Sequence, residues 1–432
     1  MTLLSFNKLS LKEINRQQVY AAIYREPMQS KQQLARSLNM SLSTVDSNIK
    51  SLMQSGLLEE AGTLESTGGR KAQSYQINAH AHYAIGLFLL DEKVIATAVD
   101  LNGAPLWEEH FSLDLSDPAF DDSYYTLLQD HLTKLLHKHK LQTEQCLGLA
   151  FAVQGTVTSN TVEAQPNFTR ASSAQTPDHV NYGILLLKSG QQITLEQVQS
   201  HFSLPCSLYH DAKAAAFAEL WERPHIDNAA LFLLNQNLGG SLIFNNMVHY
   251  GNQGRGGLVE HLKVGHEGRL CYCGNQDCLE CYCSKQAIEH DSGLSSEDFF
   301  TKLRSADAAE KSPDLVELWQ KYLHYLGVSI YNASRLIDGK IILTGALAPY
   351  LQQSDLKTLL ECVNRYPNSF NLEPDDLILS PRSDAVVALG AGRHLINAYL
   401  EHFGANPIND QCYHANNLEL HLPELASANN SD

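Results

Sequence analysis

A stretch near the middle of the chain, HLKVGHEGRLCYCGNQDCLECYC (residues 261–283), holds five of the nine cysteines and two histidines. Thiolates and imidazoles are the groups with which proteins hold zinc. The same cysteines could instead form disulfides or lie in a core as ordinary thiols. The N-terminal segment MTLLSFNKLSLKEINRQQ lacks the order of a signal peptide, so we expect a cytoplasmic protein. Disulfides are rare in that compartment, which favours a metal site.

Length and composition indicate a multidomain globular protein with an uneven charge. The chain has 432 residues, of which 44% are hydrophobic and 18% charged, and its length predicts two or three domains. It contains no apolar run of about 18 residues, so we expect no membrane insertion. The net charge is −17, but residues 1–76 carry nine Lys/Arg against six Asp/Glu, about +3, which leaves about −20 for the rest. The small basic segment is therefore the candidate for binding nucleic acid.

This N-terminal segment has the pattern of a winged helix-turn-helix. Three short helical patterns fit between residues 11 and 56, and a short turn joins the second to the third. Ser30 is the predicted N-cap of the second helix, and Ser41 or Ser43 that of the third. The segment LLEEAGTLESTGGRKAQSYQIN then predicts two strands joined by a basic tip. A basic hairpin beside such a helix is typical of a wing, which favours DNA binding over a helical hairpin with a solvated polar face.

The third helix is expected to enter the major groove. Its inward positions are apolar, and its outward positions carry hydroxyl, amide and ammonium groups that suit phosphates and base edges. The predicted contacts to double-stranded DNA from this helix and the wing are Ser43, Thr44, Ser47, Asn48, Lys50, Arg70 and Lys71.

From about residue 80 strands alternate with helices, and the plan of strand meander, helix and strand occurs twice. A winged helix-turn-helix, a GGRK wing leading into YAIGLFL, a later HDA and the stretch CYCGNQDCLE together resemble the ROK family (repressors, open reading frames and kinases), above all its repressor members. The resemblance extends to about residue 400, and the cysteine stretch is its most specific part.

The resemblance implies an α/β protein in which an N-terminal winged helix-turn-helix precedes a two-lobed, actin-like ROK fold. A ligand site is expected between the lobes. The implied division is a winged domain (1–80), a first lobe (81–200) onto which a C-terminal helix (384–402) packs back, a second lobe (201–383) with the cysteine loop 261–283, and a tail (403–432). The Asn/Ser-rich end of the tail predicts disorder.

The resemblance also implies which residues bind metal. ROK proteins hold a structural zinc ion through one histidine and three cysteines. The matching residues are His261, Cys271, Cys273 and Cys278. A closed set of four such ligands is structural rather than catalytic. His266 is an alternative fourth ligand, while Cys281 and Cys283 are expected to be buried thiols on the next helix, with a spare ligand or a redox role as alternatives.

The family's sugar site is matched in part. The matching residues are Asn167, His210, Asp211 and Glu260. In ROK kinases the aspartate takes a proton from the sugar hydroxyl, but it can also accept hydrogen bonds without any reaction, or cap the helix that follows. The family's ExGH motif is replaced by GLVEH. Either Glu260 still serves as the sugar-binding acid, or Leu258 replaces that acid, in which case the ligand differs or is lost.

The phosphate-binding turns of ROK kinases are poorly matched. The first, DxGGT, should follow the opening strand, where this chain has FLLDEKV with two carboxylates and no glycine. Carboxylates repel a triphosphate, and without glycine the backbone cannot approach it closely. The second turn, LNQNLGGSL, keeps only Gly239 and Gly240. We therefore predict no catalytic residues and no enzyme activity.

Taken with the resemblance, these features predict a transcriptional regulator, a repressor of genes for sugar uptake or metabolism. A sugar, a sugar phosphate or a phosphotransferase-system protein would control it. A homodimer or tetramer would place two winged domains on a pseudo-palindromic operator. Two alternatives belong to other classes: a ROK sugar kinase with an added DNA-binding domain, and a scaffold that binds a protein partner through the zinc loop.

Overall fold

The computed structural model describes residues 10–64, 71–114, 122–159, 182–186, 192–251, 254–305, 312–365 and 371–408. The remaining part of the tail, 409–432, for which the sequence predicts disorder, lies outside the described residues. In the described ranges no helix is both long and apolar enough to cross a membrane.

The winged domain consists of three helices and a small antiparallel sheet of order β1-β3-β2. Its elements are α1 (Leu11–Arg25), β1 (Gln29–Ser30), α2 (Lys31–Ser37), α3 (Leu42–Gln54), β2 (Leu58–Thr63) and β3 (Gln73–Ile77). Helices α2 and α3 begin after Ser30 and Ser41, because each hydroxyl accepts a backbone N–H from the first helical turn. The inward stripe of α3, formed by Val45, Ile49 and Leu52, is fully buried.

The first lobe is built on a five-stranded sheet of order β11-β7-β4-β5-β6. Its elements are β4 (Tyr83–Leu89), β5 (Lys93–Asp100), β6 (Pro105–Ser112), α4 (Asp122–Lys138), β7 (Cys146–Val153), β8 (Gly155–Ser159), β9 (Tyr182–Leu186), β10 (Gln192–Thr194), α5 (Leu195–His201) and β11 (Cys206–His210). The predicted lobe boundary at residue 200 is too early. Because β11 pairs in parallel with β7, the first lobe continues to His210.

The second lobe holds a sheet of order β14-β13-β12-β15-β16. Its elements are α6 (Asp211–Glu222), β12 (Ala229–Leu234), β13 (Leu238–Phe244), β14 (Met247–His249), α7 (Glu280–Cys283), α8 (Lys285–Ser292), α9 (Ser296–Leu303), α10 (Pro313–Leu336), β15 (Lys340–Thr344), α11 (Gln353–Val363) and β16 (Leu377–Leu379). In both lobes an antiparallel meander of three strands is extended by two parallel strands. This repeated plan confirms the predicted two-lobed fold.

The last helix, α12 (Val386–His402), packs tightly against both α6 and the first-lobe sheet. A Cβ added to Gly390 would lie 1.8 Å from the carbonyl oxygen of Ala214 in α6. A Cβ added to Gly86 in β4 would lie 1.8 Å from the carbonyl oxygen of Ala388. Since neither contact leaves room for a methyl group, α6, α12 and β4 form one closely packed unit.

The winged domain packs directly on the end of α12. The ring of Tyr20 in α1 lies 4.3 Å from the ring of Phe403, centroid to centroid, and Phe403 lies 5.5 Å from Tyr399. The side-chain amide of Gln17 donates a hydrogen bond of 2.7 Å to the carbonyl of His402. The three aromatic rings belong to one continuous apolar core that joins the winged domain to the first lobe.

Candidate functional site

The four residues predicted to bind zinc lie together in the loop that leads to α7. Their ligand atoms, from His261, Cys271, Cys273 and Cys278, all lie within 4.8 Å of one another. The Sγ atoms of Cys273 and Cys278 are 3.7 Å apart, and Cys271 Sγ lies 3.8 Å from His261 Nδ1. Thiolates bound at about 2.3 Å to a tetrahedral zinc ion stand about 3.8 Å apart, whereas disulfide sulfurs stand at about 2 Å. The cluster therefore fits a closed metal site with one imidazole and three thiolates.

The other candidates near this cluster have different surroundings. His266 is exposed and is not among the four clustered residues. Cys283 is fully buried, and its thiol donates to the carbonyl of Tyr322 at 3.4 Å. Cys281 is only half-buried, with its thiol 3.6 Å from the carbonyl of Arg269. Cys283 thus has the surroundings of a core thiol, while Cys281 offers a matched control for metal binding.

Three buried acidic side chains converge at the start of α6. Asp211 is the first residue of this helix, and its Oδ1 accepts the N–H of Ala212 at 2.7 Å and lies 3.1 Å from His210 Nδ1. Burial raises the pKa of Asp211 to about 7 and lowers the pKa of His210 to about 3, so His210 is neutral near pH 7. The carboxyl groups of Glu260 and Glu280 are close enough for their charges to act on Asp211 and on each other.

Lys213 provides a positive charge within this acidic cluster. Its side chain is buried, and Nζ donates to the carbonyl oxygens of His249, at 3.1 Å, and Gly256. Burial lowers the pKa of Lys213 to about 8, against the opposing effect of the Glu260 and Asp211 charges. These hydrogen bonds therefore connect α6 to the segment before Glu260. The ammonium group also offsets part of the negative charge of the neighbouring acids. Sequence analysis missed Lys213, although a lysine in the alanine-rich helix AKAAAFAELW was a visible signal.

The geometry of the GLVEH stretch bears on the choice between Glu260 and Leu258. Glu260 is 4% exposed, and its Oε2 has no hydrogen-bond partner within the described ranges. Burial raises the pKa of Glu260 to about 8. Leu258 is instead 37% exposed. A short 3₁₀ turn, Val259–His261, thus places the carboxyl group of Glu260 inside the protein and leaves Leu258 nearer the surface.

Glu280 completes the cluster and was also missed by the sequence analysis. Its carboxylate accepts hydrogen bonds from the side-chain amide of Asn237 at 2.8 Å and from the N–H of Leu238 at 2.7 Å. The available signal was its position two residues after Cys278, which fixes it beside the metal loop. Asn167, the remaining predicted sugar contact, lies outside the described residues.

The raised pKa of Asp211 predicts a pH-dependent contribution to stability. The folded protein keeps this proton up to about pH 7, whereas the unfolded chain loses it near the ordinary value of 3.8. Raising the pH between these values therefore costs folding free energy. The measured quantity is the difference in free energy of unfolding, wild type minus Asp211→Asn. We expect this difference to fall by about 1 kcal/mol per pH unit up to pH 7. Urea denaturation at pH 5.5, 6.5 and 7.5 with zinc present measures this difference, and a constant difference would contradict it.

The residues predicted to contact DNA differ in their solvent exposure. Those that are exposed are Ser43, Ser47, Lys50 and Lys71. Thr44 is half-buried, with its hydroxyl 2.8 Å from that of Ser41. Asn48 is 6% exposed and donates to the carbonyl of Thr44 at 2.8 Å, so its predicted outward position is wrong. The helical period places residue 48 beside Ile49 on the buried side, and Arg70 in the wing lies outside the described residues.

The two turns compared above with the phosphate-binding turns of ROK kinases make contacts within the protein. After β4 the N–H of Leu90 donates to the carbonyl of Lys93 at 2.9 Å, which closes a tight hairpin over the two intervening acids. A Cβ added to Gly240 would lie 2.3 Å from the carbonyl oxygen of Gly257. The Oδ1 atom of Asn235 accepts the N–H of Ala346 at 2.8 Å.

The chain thus combines an N-terminal winged domain with a two-lobed α/β body that holds a buried polar cluster. A family model described as "ROK family" matches residues 89–396, more than half of the chain, and one described as "Winged helix-turn-helix DNA-binding" matches residues 12–59. The chain belongs to the ROK family.

Relatives with named functions match most of the chain. The "Xylose repressor" of Bacillus spizizenii is 23% identical over 353 residues, which cover 77% of this chain and 82% of that protein. The "DNA-binding transcriptional dual regulator NagC" of Escherichia coli is 24% identical over 372 residues, which cover 82% of this chain and 85% of that protein. Both alignments therefore extend over most of this chain and most of each relative.

Solved structures show the same fold. A ROK family transcriptional regulator described as a homolog of the Escherichia coli MLC protein has a TM-score of 0.65 at 19% identity and covers 92% of this chain and 98% of its own. A ROK family glucokinase from Streptomyces griseus, in complex with glucose and AMPPNP, has a TM-score of 0.54 at 18% identity and covers 72% of this chain and 98% of its own. The regulator thus covers more of this chain than the kinase does.

Proposed function

We propose that this protein is a sugar-responsive transcriptional repressor. The winged domain binds operator DNA, and the buried cluster at the start of α6 binds the sugar. The observation that carries the proposal is the continuity between the two: α6 begins at Asp211 and packs on α12, and α12 ends in the core of the winged domain. Relatives named "Xylose repressor" and "N-acetylglucosamine repressor" support the same combination.

The sugar site follows from groups that can exchange hydrogen bonds with hydroxyls. Glu260 has an oxygen without a partner in the described ranges. Asp211 is close enough for its charge to act on Glu260, and its own carboxyl group is partly protonated near neutral pH. Such carboxyl groups can both accept and donate hydrogen bonds. Lys213 holds the backbone before Glu260 in place. Sugar hydroxyls would replace the hydrogen bonds that the buried acid lacks.

The cysteine cluster holds two residues of this site in position. Zinc would be held by His261, Cys271, Cys273 and Cys278. Bound there, the ion supplies a structural cross-link, since four protein ligands leave no open position for catalysis. Glu260 is next to His261 in sequence, and Glu280 is two residues after Cys278. The cross-link therefore positions two of the three acids.

Coupling to DNA would pass through α6 and α12. A sugar that draws Glu260 toward Asp211 acts on the first turn of α6, and the close contact at Gly390 transmits a displacement to α12. The winged domain follows because Tyr20 packs on Phe403. A homodimer would read two half-sites, so a small rotation of each winged domain changes their spacing and weakens binding. A coupling free energy of about 1–3 kcal/mol is typical of such transitions.

A sugar kinase is less well supported. ROK kinases share the fold of the lobes, as the Streptomyces griseus glucokinase shows. In this chain, however, Asp91 and Glu92 form the tip of the first turn, and Gly240 of the second turn contacts the backbone of Gly257. Phosphate binding would need both turns to open. We therefore assign no catalytic residue and expect no sugar-dependent release of ADP from ATP.

Selection of genomic DNA fragments on the purified protein, with and without sugars and sugar phosphates, tests the proposal. We expect enrichment of a pseudo-palindromic site and loss of that enrichment with one sugar. Enrichment that no sugar or sugar phosphate changes would point to control by a protein such as a phosphotransferase-system component. Failure to enrich any DNA would contradict the proposed function.

A further inference from the structure

The outward side of α3 presents fewer free polar groups than its sequence suggests. The carboxylate of Asp46 is paired with Lys31 of α2 and, at 2.8 Å, with Lys50. The hydroxyl of Thr44 lies 2.8 Å from the hydroxyl of Ser41, which caps the helix. The amide of Asn48 bonds to its own helix. Four of the polar side chains of this helix, those of Thr44, Asp46, Asn48 and Lys50, are therefore engaged inside the winged domain.

A leucine stands out on the same surface. Leu42, the first residue of α3, is 51% exposed, while the apolar stripe of the helix faces the core. Its neighbour Ser43 is also exposed. In helix-turn-helix domains the N-terminal residues of the recognition helix are those that contact base edges. An apolar side chain at this position is suited to the one apolar group in the major groove, the C5-methyl group of thymine.

We propose that Leu42 contacts the C5-methyl group of a thymine in each operator half-site and so selects thymine over cytosine at that position. The inference rests on the proposed function, because it requires an operator. Leu42 would then determine sequence specificity, as one of the few side chains of α3 that are not already engaged inside the winged domain. Burying one methyl group against leucine contributes about 0.8 kcal/mol, which corresponds to about a 4-fold change in Kd.

Deoxyuridine tests this contact, because it differs from thymidine only by the missing methyl group. Each thymine of the selected operator would be replaced singly by deoxyuridine, and the Kd measured for wild type and Leu42→Ala. We expect one position per half-site at which deoxyuridine weakens wild type about 3- to 10-fold. The same replacement should leave the Kd of Leu42→Ala unchanged. Leu42→Met, which stays apolar, should keep the penalty.

Leu11→Ala is the matched control, because Leu11 is 72% exposed at the start of α1 rather than on α3. It should show the same deoxyuridine penalty as wild type. Equal deoxyuridine penalties for wild type and Leu42→Ala at every position would overturn the proposal, as would the lack of any penalty in wild type. A change of oligomeric state in Leu42→Ala with unchanged penalties would assign Leu42 to a protein contact and also overturn it. Failure of wild type to bind any DNA would instead remove the proposed function.

Discussion

Replacing Cys278 by serine is expected to lower the zinc content from about one ion per chain to near zero. Serine is a poor zinc ligand, and three remaining ligands do not close a tetrahedral site. In small zinc domains the metal contributes about 10–16 kcal/mol to folding. Loss of one ligand is therefore expected to unfold the loop that holds the metal. Because Glu260 and Glu280 flank the ligands His261 and Cys278, we also expect sugar binding to disappear.

Metal analysis of purified protein and the melting temperature with and without a chelator measure this effect. Cys281→Ser is the matched control, since Cys281 lies in α7, three residues after Cys278, but outside the cluster of four. It should keep its zinc and its melting temperature. Full zinc content in Cys278→Ser, or equal loss in Cys281→Ser, would show that the ligand set is different.

Replacing Tyr20 by alanine is expected to separate the winged domain from the lobes. The Tyr20 ring is fully buried between the core of the winged domain and Phe403. Removing a buried aromatic side chain leaves a cavity and costs about 3–5 kcal/mol. We therefore expect a lower free energy of unfolding in urea. We also expect bound sugar to change operator affinity less than 2-fold, because the contact that transmits the coupling is lost.

Tyr20→Phe should behave in the opposite way. The Tyr20 hydroxyl is buried without a hydrogen-bond partner in the part of the chain that the structure describes. Removing an unsatisfied hydroxyl while keeping the ring is neutral or stabilising, so stability should be unchanged or higher and the sugar response intact. If Tyr20→Ala kept the full sugar response, coupling through the α12 junction would be refuted.

The local elements could be predicted because short-range signals specify them. Serine caps before α2 and α3, the apolar stripe of α3 and the apolar strands of both lobes all follow from residue types and spacing. The metal cluster was predictable because the residues come from one short loop and match a specific family pattern. Ile14 shows the limit of periodicity: the helical period of α1 places it on the same stripe as Val19 and Ile23, yet it is 38% exposed.

The rest of the candidate site, and the junction between the winged domain and the lobes, depend on contacts between residues far apart in sequence. Lys213 and Glu280 come close to Asp211 only through the fold: Lys213 bonds to the backbone of His249 and Gly256, and Glu280 bonds to Asn237 and Leu238. The alanine-rich surroundings of Lys213 indicate burial but not these partners. Asn48 was misplaced because its amide bonds to its own helix and needs no solvent. The junction of Tyr20 with Phe403 joins the two ends of the chain, which no local pattern predicts.

The most direct test is a titration of the protein–operator complex with the sugar identified by selection, followed by fluorescence anisotropy, for wild type and Asp211→Ala. We predict that the sugar raises the operator Kd of wild type about 5- to 150-fold. Asp211→Ala should bind operator as tightly as wild type but no longer respond. Operator binding that no sugar changes in wild type, or an undiminished response in Asp211→Ala, would contradict the proposal that a sugar at the start of α6 controls DNA binding.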